Sequence, residues 1–238
     1  AGWGAVLALA AGGFVLSSLL LLGLRTRTSS QASSQTVLAD MAEGFRAVGR
    51  DTLLAQLMLA AGLAYAMTGP LHILLPKLAR DVLRLNELQR GAYLGLLALS
   101  LIAGGITALA LARQVHHGVA IFSGIVLGCL VFASLSQITA PILSAALLAC
   151  VGLAGGMVIS LVVAGIQARA PEALRGRVMS MYAITSQVVP AASGVAAGTL
   201  VNGIGVTHAV AVAGLVLAAV VAWACARMGA LRRYVPTV

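Results

Sequence analysis

Seven long apolar stretches alternate with short polar segments along this chain of 238 residues. A helix rises about 1.5 Å per residue, so about twenty residues cross the hydrocarbon core of a bilayer, which is about 30 Å thick. No Asp, Glu, Lys or Arg lies in the middle of any stretch. The pattern predicts an all-α polytopic membrane protein with seven transmembrane helices. The predicted spans are Trp3–Leu24, Leu53–Leu75, Ala92–Ala112, Val119–Ile138, Ile142–Ile166, Val178–Leu200 and Val206–Ala226.

Composition agrees with a chain whose surface is covered by lipid. Hydrophobic residues make up 61% of the sequence and charged residues only 9%, whereas a soluble domain has about 25% charged residues. The net charge of +9 raises the alternative of nucleic-acid binding. The cations lie at the ends of spans rather than on one continuous face, so membrane topology explains them better and no nucleic-acid partner is expected.

Positive charges are divided unequally between the two ends of the spans. If the first span ends in the cytoplasm, eleven arginines fall on the cytoplasmic side and four cations fall outside, all within Pro76–Gly91. Cytoplasmic loops carry an excess of Lys and Arg, so we predict an external N-terminus and a cytoplasmic C-terminus. The cytoplasmic set is Arg25, Arg27, Arg46, Arg50, Arg113, Arg169, Arg175, Arg177, Arg227, Arg232 and Arg233.

The longest connection separates the first span from the other six. It opens with a polar stretch rich in Ser, Thr and Gln, which is typical of a flexible linker. Leu38, Met41, Phe45 and Val48 then recur at helical spacing and predict an amphipathic helix at the cytoplasmic membrane surface. An alternative is that this helix extends the next span. We divide the chain into a transmembrane helix (1–24), a cytoplasmic linker (25–52) and a six-helix bundle with a short tail (53–238).

Small residues recur four positions apart within the spans. In lipid, such pairs let two helix backbones approach closely. We expect tight helix packing at three pairs, namely Gly91 and Gly95, Gly124 and Gly128, and Gly194 and Gly198.

Several segments resemble those of a known transporter family. The run Leu74–Leu83 (LLPKLARDVL) with Gly91–Leu97 (GAYLGLL), and the loop Pro171–Ser180 (PEALRGRVMS), are similar to connections in major facilitator superfamily transporters. The branch they resemble contains enterobactin exporters and macrolide efflux pumps. The apolar run Ala8–Leu20 (ALAAGGFVLSSLL) resembles its sixth span, and Ala42–Arg46 (AEGFR) its central linker.

The resemblance implies the architecture and the activity. The last six spans would form one six-helix half, preceded by the sixth span and central linker of the parent fold, and the other half of the same transporter would be the partner. The chain begins at Ala1 rather than Met, which also suggests part of a larger protein. The implied function is secondary active efflux of a small amphipathic molecule, such as a siderophore or a macrolide, through a bacterial inner membrane. Transport would be proton-coupled antiport by alternating access, without enzymatic activity or a cofactor.

In the resembled fold, the second, third, fifth and sixth spans of this chain line the transport cavity. Tyr65, Thr68 and His72 stand on one face of the second span and offer hydrogen-bonding groups and an aromatic wall to an amphipathic ligand. Because histidine is the side chain whose unperturbed pKa lies nearest working pH, we also expect His72 to sense the outer proton concentration. On the other lining spans we single out further substrate-binding candidates, Ser160, Tyr182, Ser186 and Gln187.

Gating candidates come from a proline and from the cytoplasmic loops. Pro190 lies inside the sixth span, where proline removes a backbone hydrogen bond and usually kinks a helix. The loop after the third span keeps Arg113 but lacks the acid of the family's Asp/Arg/Gly/Arg signature. Any latch between halves is therefore expected at Arg113 or at Arg175 and Arg177 of the loop after the fifth span.

Two other functional classes remain to be weighed. A seven-span receptor or signalling protein shares the topology, but a retinal protein needs a Lys inside a span, and the only lysine here is Lys77, just past a span end. A membrane-embedded enzyme needs a cluster of His, Asp, Glu or Cys at membrane depth, which the spans lack; His116 and His117 alone do not predict a metal site. Since the spans also lack a carboxylate, the titrating group for proton coupling is expected in the other half.

Overall fold

A computed structural model describes residues 3–22, 37–111 and 117–232, and the regular elements within these ranges are helices without a strand. The chain divides into two compact units, Ala1–Thr36 and Val37–Val238. In the first unit, α1 (Trp3–Leu22) is an apolar helix in which the hydroxyl of Ser18 donates to the carbonyl of Phe14 at 2.9 Å. That bond satisfies a polar side chain without a second helix.

The second unit is a helical bundle. Helix α3 packs against α6 and the first part of α7, α4 packs against α6, and α5 packs between α6 and the second part of α7. Its helices are α2 (Val37–Arg50), α3 (Thr52–Lys77), α4 (Glu87–Leu111), α5 (His117–Ser134), α6 (Pro141–Arg169), α7 (Arg175–Arg227) and α8 (Gly229–Arg232). Short 3-10 or π turns at Leu78–Val82, Leu135–Gln137 and Glu172–Leu174 lie in the connections.

Five helical segments of the described residues are long and apolar enough to cross a membrane. They are Thr52–Val82, Glu87–Ala110, His117–Gln137, Pro141–Arg169 and Glu172–Arg227. A sixth apolar segment, Ala11–Leu22 in α1, is shorter. An all-α membrane protein is thereby supported, whereas the count of seven spans stays a prediction.

The fifth segment contains a break. Gly205 has φ 78° and ψ 166°, a backbone conformation that is essentially restricted to glycine. The helical path of α7 is interrupted there, between the predicted spans Val178–Leu200 and Val206–Ala226. The two parts of α7 pack on different neighbours: Gly69 of α3 lies against Gly194, and Gly214 lies against Cys129 and Ala133 of α5.

The junction between α2 and α3 is made by Asp51. Its backbone is extended (φ −111°, ψ 106°), and its carboxylate accepts hydrogen bonds from the N–H groups of Leu53 (3.0 Å) and Leu54 (3.2 Å). This is an N-cap, which satisfies amide groups that the first helical turn leaves free. Helix α2 is therefore separate from α3, contrary to the alternative of one extended span. On the expected apolar face of α2, Val48 packs against the core but Phe45 is exposed.

Asp51 also joins α3 to the end of α6. The guanidinium of Arg169 donates to its second carboxylate oxygen at 2.6 Å. Burial raises the pKa of the Asp51 carboxyl, but the Leu54 N–H, the Arg169 guanidinium and the Leu53 N–H together outweigh burial, so its pKa lies below the ordinary value. The ionised form of Asp51 is the one that the fold stabilises.

Asp51→Ala is expected to lower the free energy of unfolding of the bundle by about 1 kcal/mol, since loss of an N-cap costs about 0.5–2 kcal/mol. A carboxyl whose pKa is lowered by folding stabilises the protein fully above its unfolded pKa of about 3.9 and loses that effect as pH falls through the folded pKa. The difference in free energy of unfolding between wild type and Asp51→Ala should therefore be constant above about pH 5 and shrink below about pH 4. Chemical unfolding in detergent across this pH range measures it.

Arg169→Gln is the matched control, because it removes the exposed ion pair and keeps the cap. Arg169→Gln should lower the free energy of unfolding by less than Asp51→Ala does, since exposed ion pairs contribute about 0–1 kcal/mol. A stability difference for Asp51→Ala that stayed the same in acid would contradict a role for the charge of Asp51.

Most of the six glycines that were expected to pack tightly do not make close helix contacts, and other glycines do. A Cβ at Gly91, Gly95 or Gly198 would meet nothing within 4 Å in this part of the chain. Instead, Gly104 lies against the Leu153 carbonyl and Gly156 against the Leu101 carbonyl, so that α4 and α6 touch through their backbones. Of the expected pairs, Gly124 packs against Val158, Gly194 packs near Gly69, and Gly128 is in looser contact. Spacing of four alone does not identify the helix face that is buried.

Candidate functional site

Two tyrosines from distant parts of the chain meet between α3 and α7. The hydroxyl groups of Tyr65 and Tyr182 lie 2.6 Å apart in a hydrogen bond, and their ring centroids are separated by 5.8 Å with the planes tilted by 60°. Both side chains are half-buried. A phenol in an apolar environment needs a partner for its hydroxyl, and each tyrosine supplies that partner to the other.

Close contact between the same two helices continues one turn further along α3. Gly69 lies directly against Ser193, the backbone of Gly194 and the carbonyl of Pro190. A side chain at this position would separate the two helices. The absence of a Cβ at Gly69 therefore sets the distance between α3 and the first part of α7.

Beside this contact lies an open groove of about 700 Å³, which we call the α3–α7 groove. It brings together five of the residues singled out from the sequence, from two predicted spans more than a hundred positions apart. The groove is lined by Thr68, Gly69, His72, Ile73, Ser186, Gln187, Pro190, Ala191, Gly194, Val195 and Gly198. Tyr65 and Tyr182 are not lining residues, but each lies about one helical turn from one of them, and their hydrogen bond joins the two helices that form the walls.

The chemistry of the groove is neutral hydrogen bonding on an apolar background. It offers the hydroxyls of Thr68 and Ser186, the imidazole of His72 and the carboxamide of Gln187. The Ser186 hydroxyl also donates to the Ala183 carbonyl of its own helix at 2.7 Å. Among the residues that the structure describes, no Asp, Glu, Lys or Arg lines the groove. Such a surface can hold a ligand with neutral polar groups and an apolar body.

Ser160 lies apart from this groove. A Cβ built on Gly105 of α4 would lie 3.1 Å from its hydroxyl oxygen, so Ser160 faces the contact between α6 and α4. The sequence placed Ser160 on a lining span but could not determine which neighbour it faces.

The gating candidates are distributed over several places. Pro190 lines the groove, and its backbone angles are helical; the departure from helical angles within α7 is at Gly205 instead. Arg175 begins α7 and is exposed. Arg177 forms an ion pair with Glu43 of α2. Arg113 lies outside the described residues.

A set of contacts that sequence reasoning missed ties the bundle together at the end where α3 begins. Besides the pairs of Arg169 with Asp51 and Arg177 with Glu43, the side chain of Gln56 accepts a hydrogen bond from the N–H of Leu231 at 2.6 Å. The position of Asp51 just before a predicted span was a signal for an N-cap. Its pairing with Arg169, and that of Gln56 with α8, depend on tertiary structure.

Comparison with known proteins places the chain in a family. The sequence model described as Major Facilitator Superfamily matches residues 1–195. No curated protein matches the chain. The match covers α1–α6 and the part of α7 that carries Tyr182, Ser186, Gln187 and Pro190.

Proposed function

Since this chain belongs to the Major Facilitator Superfamily, we propose that it forms part of a secondary transporter that exports a small amphipathic molecule by alternating access. Membership supports a multi-pass membrane transporter in general, and proteins of this family are transporters rather than enzymes. A lipid bilayer and a small-molecule substrate follow from that class. The direction of transport, the kind of substrate and the coupling are our proposal.

The observation that carries the proposal is the α3–α7 groove. Transport requires a polar surface near the middle of the membrane that faces each side in turn. The groove provides hydrogen-bonding groups from α3 and from α7, beside apolar surface from Ile73 and Val195. The tyrosine pair joins α3 to α7, so that a substrate in the groove would contact two helices that are held together.

The neutral lining favours one class of substrate. A charged group transferred from water into this groove would find no opposite charge among its lining side chains and would lose hydration without compensation. We therefore propose a substrate with neutral polar groups and a large apolar surface. The resemblance of the segments 74–83 and 171–180 is to the enterobactin-exporter and macrolide-pump branch. Of these two classes, an iron-free siderophore fits the description, and a macrolide fits it through its lactone ring and sugar hydroxyls rather than through its protonated amine.

We propose that a second six-helix half of the same transporter supplies the opposite wall of the cavity. The α3–α7 groove is open, with a wall on one side from α3 and on the other from α7. Tight glycine contacts between α4 and α6, and between α3 and α7, favour movement of this bundle as a rigid body. Alternating access would then arise from rocking of one half against the other.

Proton coupling forms the next part of the proposal. The predicted spans contain no carboxylate, so the group that carries the proton is expected in the second half.

The distribution of charge supports an inner-membrane protein with its C-terminus in the cytoplasm. Ion pairs bring Arg169 and Arg177 to the end of the bundle where Asp51 and Glu43 lie. These are residues of the arginine-rich set that we predict to be cytoplasmic. Loop arginines are retained on the cytoplasmic side during membrane insertion.

Flux measurements in proteoliposomes test the proposal. With an imposed pH gradient, vesicles that contain this chain together with its second half should accumulate a labelled macrolide or catecholate siderophore, and a proton ionophore should abolish the accumulation. The 238-residue chain reconstituted alone should give no flux. Gradient-driven flux from the chain alone would contradict the need for a second half. Absence of flux for a whole panel of neutral amphipathic compounds would contradict efflux of this class.

A further inference from the structure

A second void lies inside the bundle, on the other side of the residues that line the groove. It has a volume of about 130 Å³ and lies between α3, α4, α5 and α6. We call it the apolar cavity. Its lining is almost entirely apolar, formed by Leu, Ile, Val, Ala, Met, Gly and Cys residues; among the described residues, Tyr65, Thr68 and His72 contribute the polar side chains.

More of the lining of the apolar cavity is buried on α5 and α6 than on α3 and α4. Most lining residues from α5 and α6, such as Ile125, Cys129 and Val158, are buried, and the others are half-buried. Of the lining residues from α3 and α4, Met67 is buried and the others, such as Leu71 and Leu97, are at least partly exposed. Helices α3 and α4 also make little contact with each other. The cavity is therefore more deeply buried on the side of α5 and α6, and its more exposed side lies between α3 and α4.

The polar groups of the cavity lie on its α3 side. Thr68 and His72 line both the apolar cavity and the α3–α7 groove, and Tyr65 lines the cavity while it bonds Tyr182 beside the groove. A molecule could thus have its polar atoms at α3 and insert an apolar group towards α5. This is the arrangement of a specificity pocket, in which a shaped apolar space adjoins a few polar anchors.

From this arrangement we propose that the apolar cavity is a binding site for one ring-sized apolar group, such as a phenyl ring or a branched alkyl group. A dry cavity of about 150 Å³ lined by aliphatic side chains binds benzene, and the volume here is close to that. The proposal rests on the proposed function in one respect: in a transporter, the group bound here would be the apolar part of the exported molecule.

Gly128 offers a direct way to fill the cavity. It lines the cavity, and among the described residues a Cβ added to it would meet the Ala154 Cβ alone, at 3.9 Å. Gly128→Leu should therefore place its side chain in the void without forcing helices apart. The matched control is Gly95→Leu on α4, where a Cβ would meet nothing within 4 Å of the described residues. Gly95 does not line the cavity.

Thermal unfolding in detergent, with and without benzene, tests the site. Benzene at about tenfold its dissociation constant should raise the midpoint temperature of unfolding by about 3 °C or more in wild type and in Gly95→Leu. In Gly128→Leu the rise should disappear, and in Gly128→Ala it should be smaller than in Gly95→Ala. A bulkier aromatic hydrocarbon, 1,3,5-triisopropylbenzene, should give no rise in any of them.

The outcomes decide between the cavity and other effects of benzene. An equal rise in Gly95→Leu and Gly128→Leu would show that benzene acts through the micelle, and no rise in wild type would show that the cavity is closed to it; either result overturns the proposal. If Gly128→Leu does not fold, the comparison of Gly128→Ala with Gly95→Ala gives the same decision. Benzene binding without flux in proteoliposomes would contradict the proposed transport function and leave the binding site in the apolar cavity supported. Flux without benzene binding would contradict the binding site and leave the transport function supported.

Discussion

Replacement of Gly156 by alanine is expected to lower the free energy of unfolding of the bundle by about 1–3 kcal/mol, the usual cost of overpacking a tight interior. A Cβ at this position would lie 2.8 Å from the carbonyl carbon of Leu101 and 3.0 Å from the amide nitrogen of Gly105. Both atoms belong to the backbone of α4, so the clash cannot be relieved by a change of rotamer. Helices α4 and α6 would have to move apart along the contact that also includes Gly104.

Equilibrium unfolding in mixed micelles measures this change, and Gly95→Ala provides the control. Gly95 lies on α4, where an added Cβ would meet no atom of the described residues within 4 Å. Alanine is preferred over glycine inside a helix by roughly 0.5–1 kcal/mol, so Gly95→Ala should leave stability unchanged or raise it slightly. If both alanine variants unfolded at the wild-type denaturant concentration, the backbone contact between α4 and α6 would be refuted.

Tyr65→Ala should reduce efflux per transporter molecule by about threefold to tenfold. Loss of an aromatic wall weakens ligand binding by about 0.5–1.5 kcal/mol beyond the lost contact area, and about 1.4 kcal/mol corresponds to a tenfold change. Tyr182 is half-buried beside the α3–α7 groove, so water can replace the hydroxyl that Tyr65 now provides. Membrane abundance should therefore stay close to that of wild type.

Efflux normalised to the amount of transporter in the membrane is the measurement. Leu63→Ala is the control: Leu63 is outside both the groove and the apolar cavity and packs against the core. That variant should lose stability or abundance and keep its efflux per molecule. Tyr65→Phe retains the ring and should keep most of the activity. Equal efflux per molecule for wild type and Tyr65→Ala would assign Tyr65 a structural role and leave Ser186 and Gln187 as the better candidates.

The helical architecture could be predicted because lipid imposes a strong constraint on sequence. Every backbone group in the membrane must be satisfied within its own segment, so length and hydropathy identify helices with little interference from other effects. Helices α3–α6 accordingly lie where the apolar stretches were found. The break at Gly205 also falls between two predicted spans, where Asn202 and Gly203 form a dipeptide that is typical of turns.

Part of the candidate site could be predicted for a similar reason. Tyr65, Thr68 and His72 share a face by helical periodicity alone. Their meeting with Tyr182 and Gln187 depends on which side of α7 faces α3, and that is set by the contact at Gly69 rather than by local sequence. Ser160 illustrates the limit, since it lies on a lining span but faces α4.

The contacts at the end of the bundle were not predictable from local pattern. Asp51 and Arg169 are separated by 118 positions, and Glu43 and Arg177 by 134. Each of these residues can be interpreted locally as a cap, a span flank or a solvated charge. Only the docking of α2 and α3 against α6 and α7 brings the opposite charges together.

Gly205 shows that tolerance to substitution can be independent of crowding. The residue is exposed, and a Cβ there would meet nothing within 4 Å in the described part of the chain. By burial and by available room it resembles the most permissive positions of the protein. Its backbone angles nevertheless exclude side chains of L-amino acids, so any residue encoded there other than glycine would have to alter the path of the chain between two long helices.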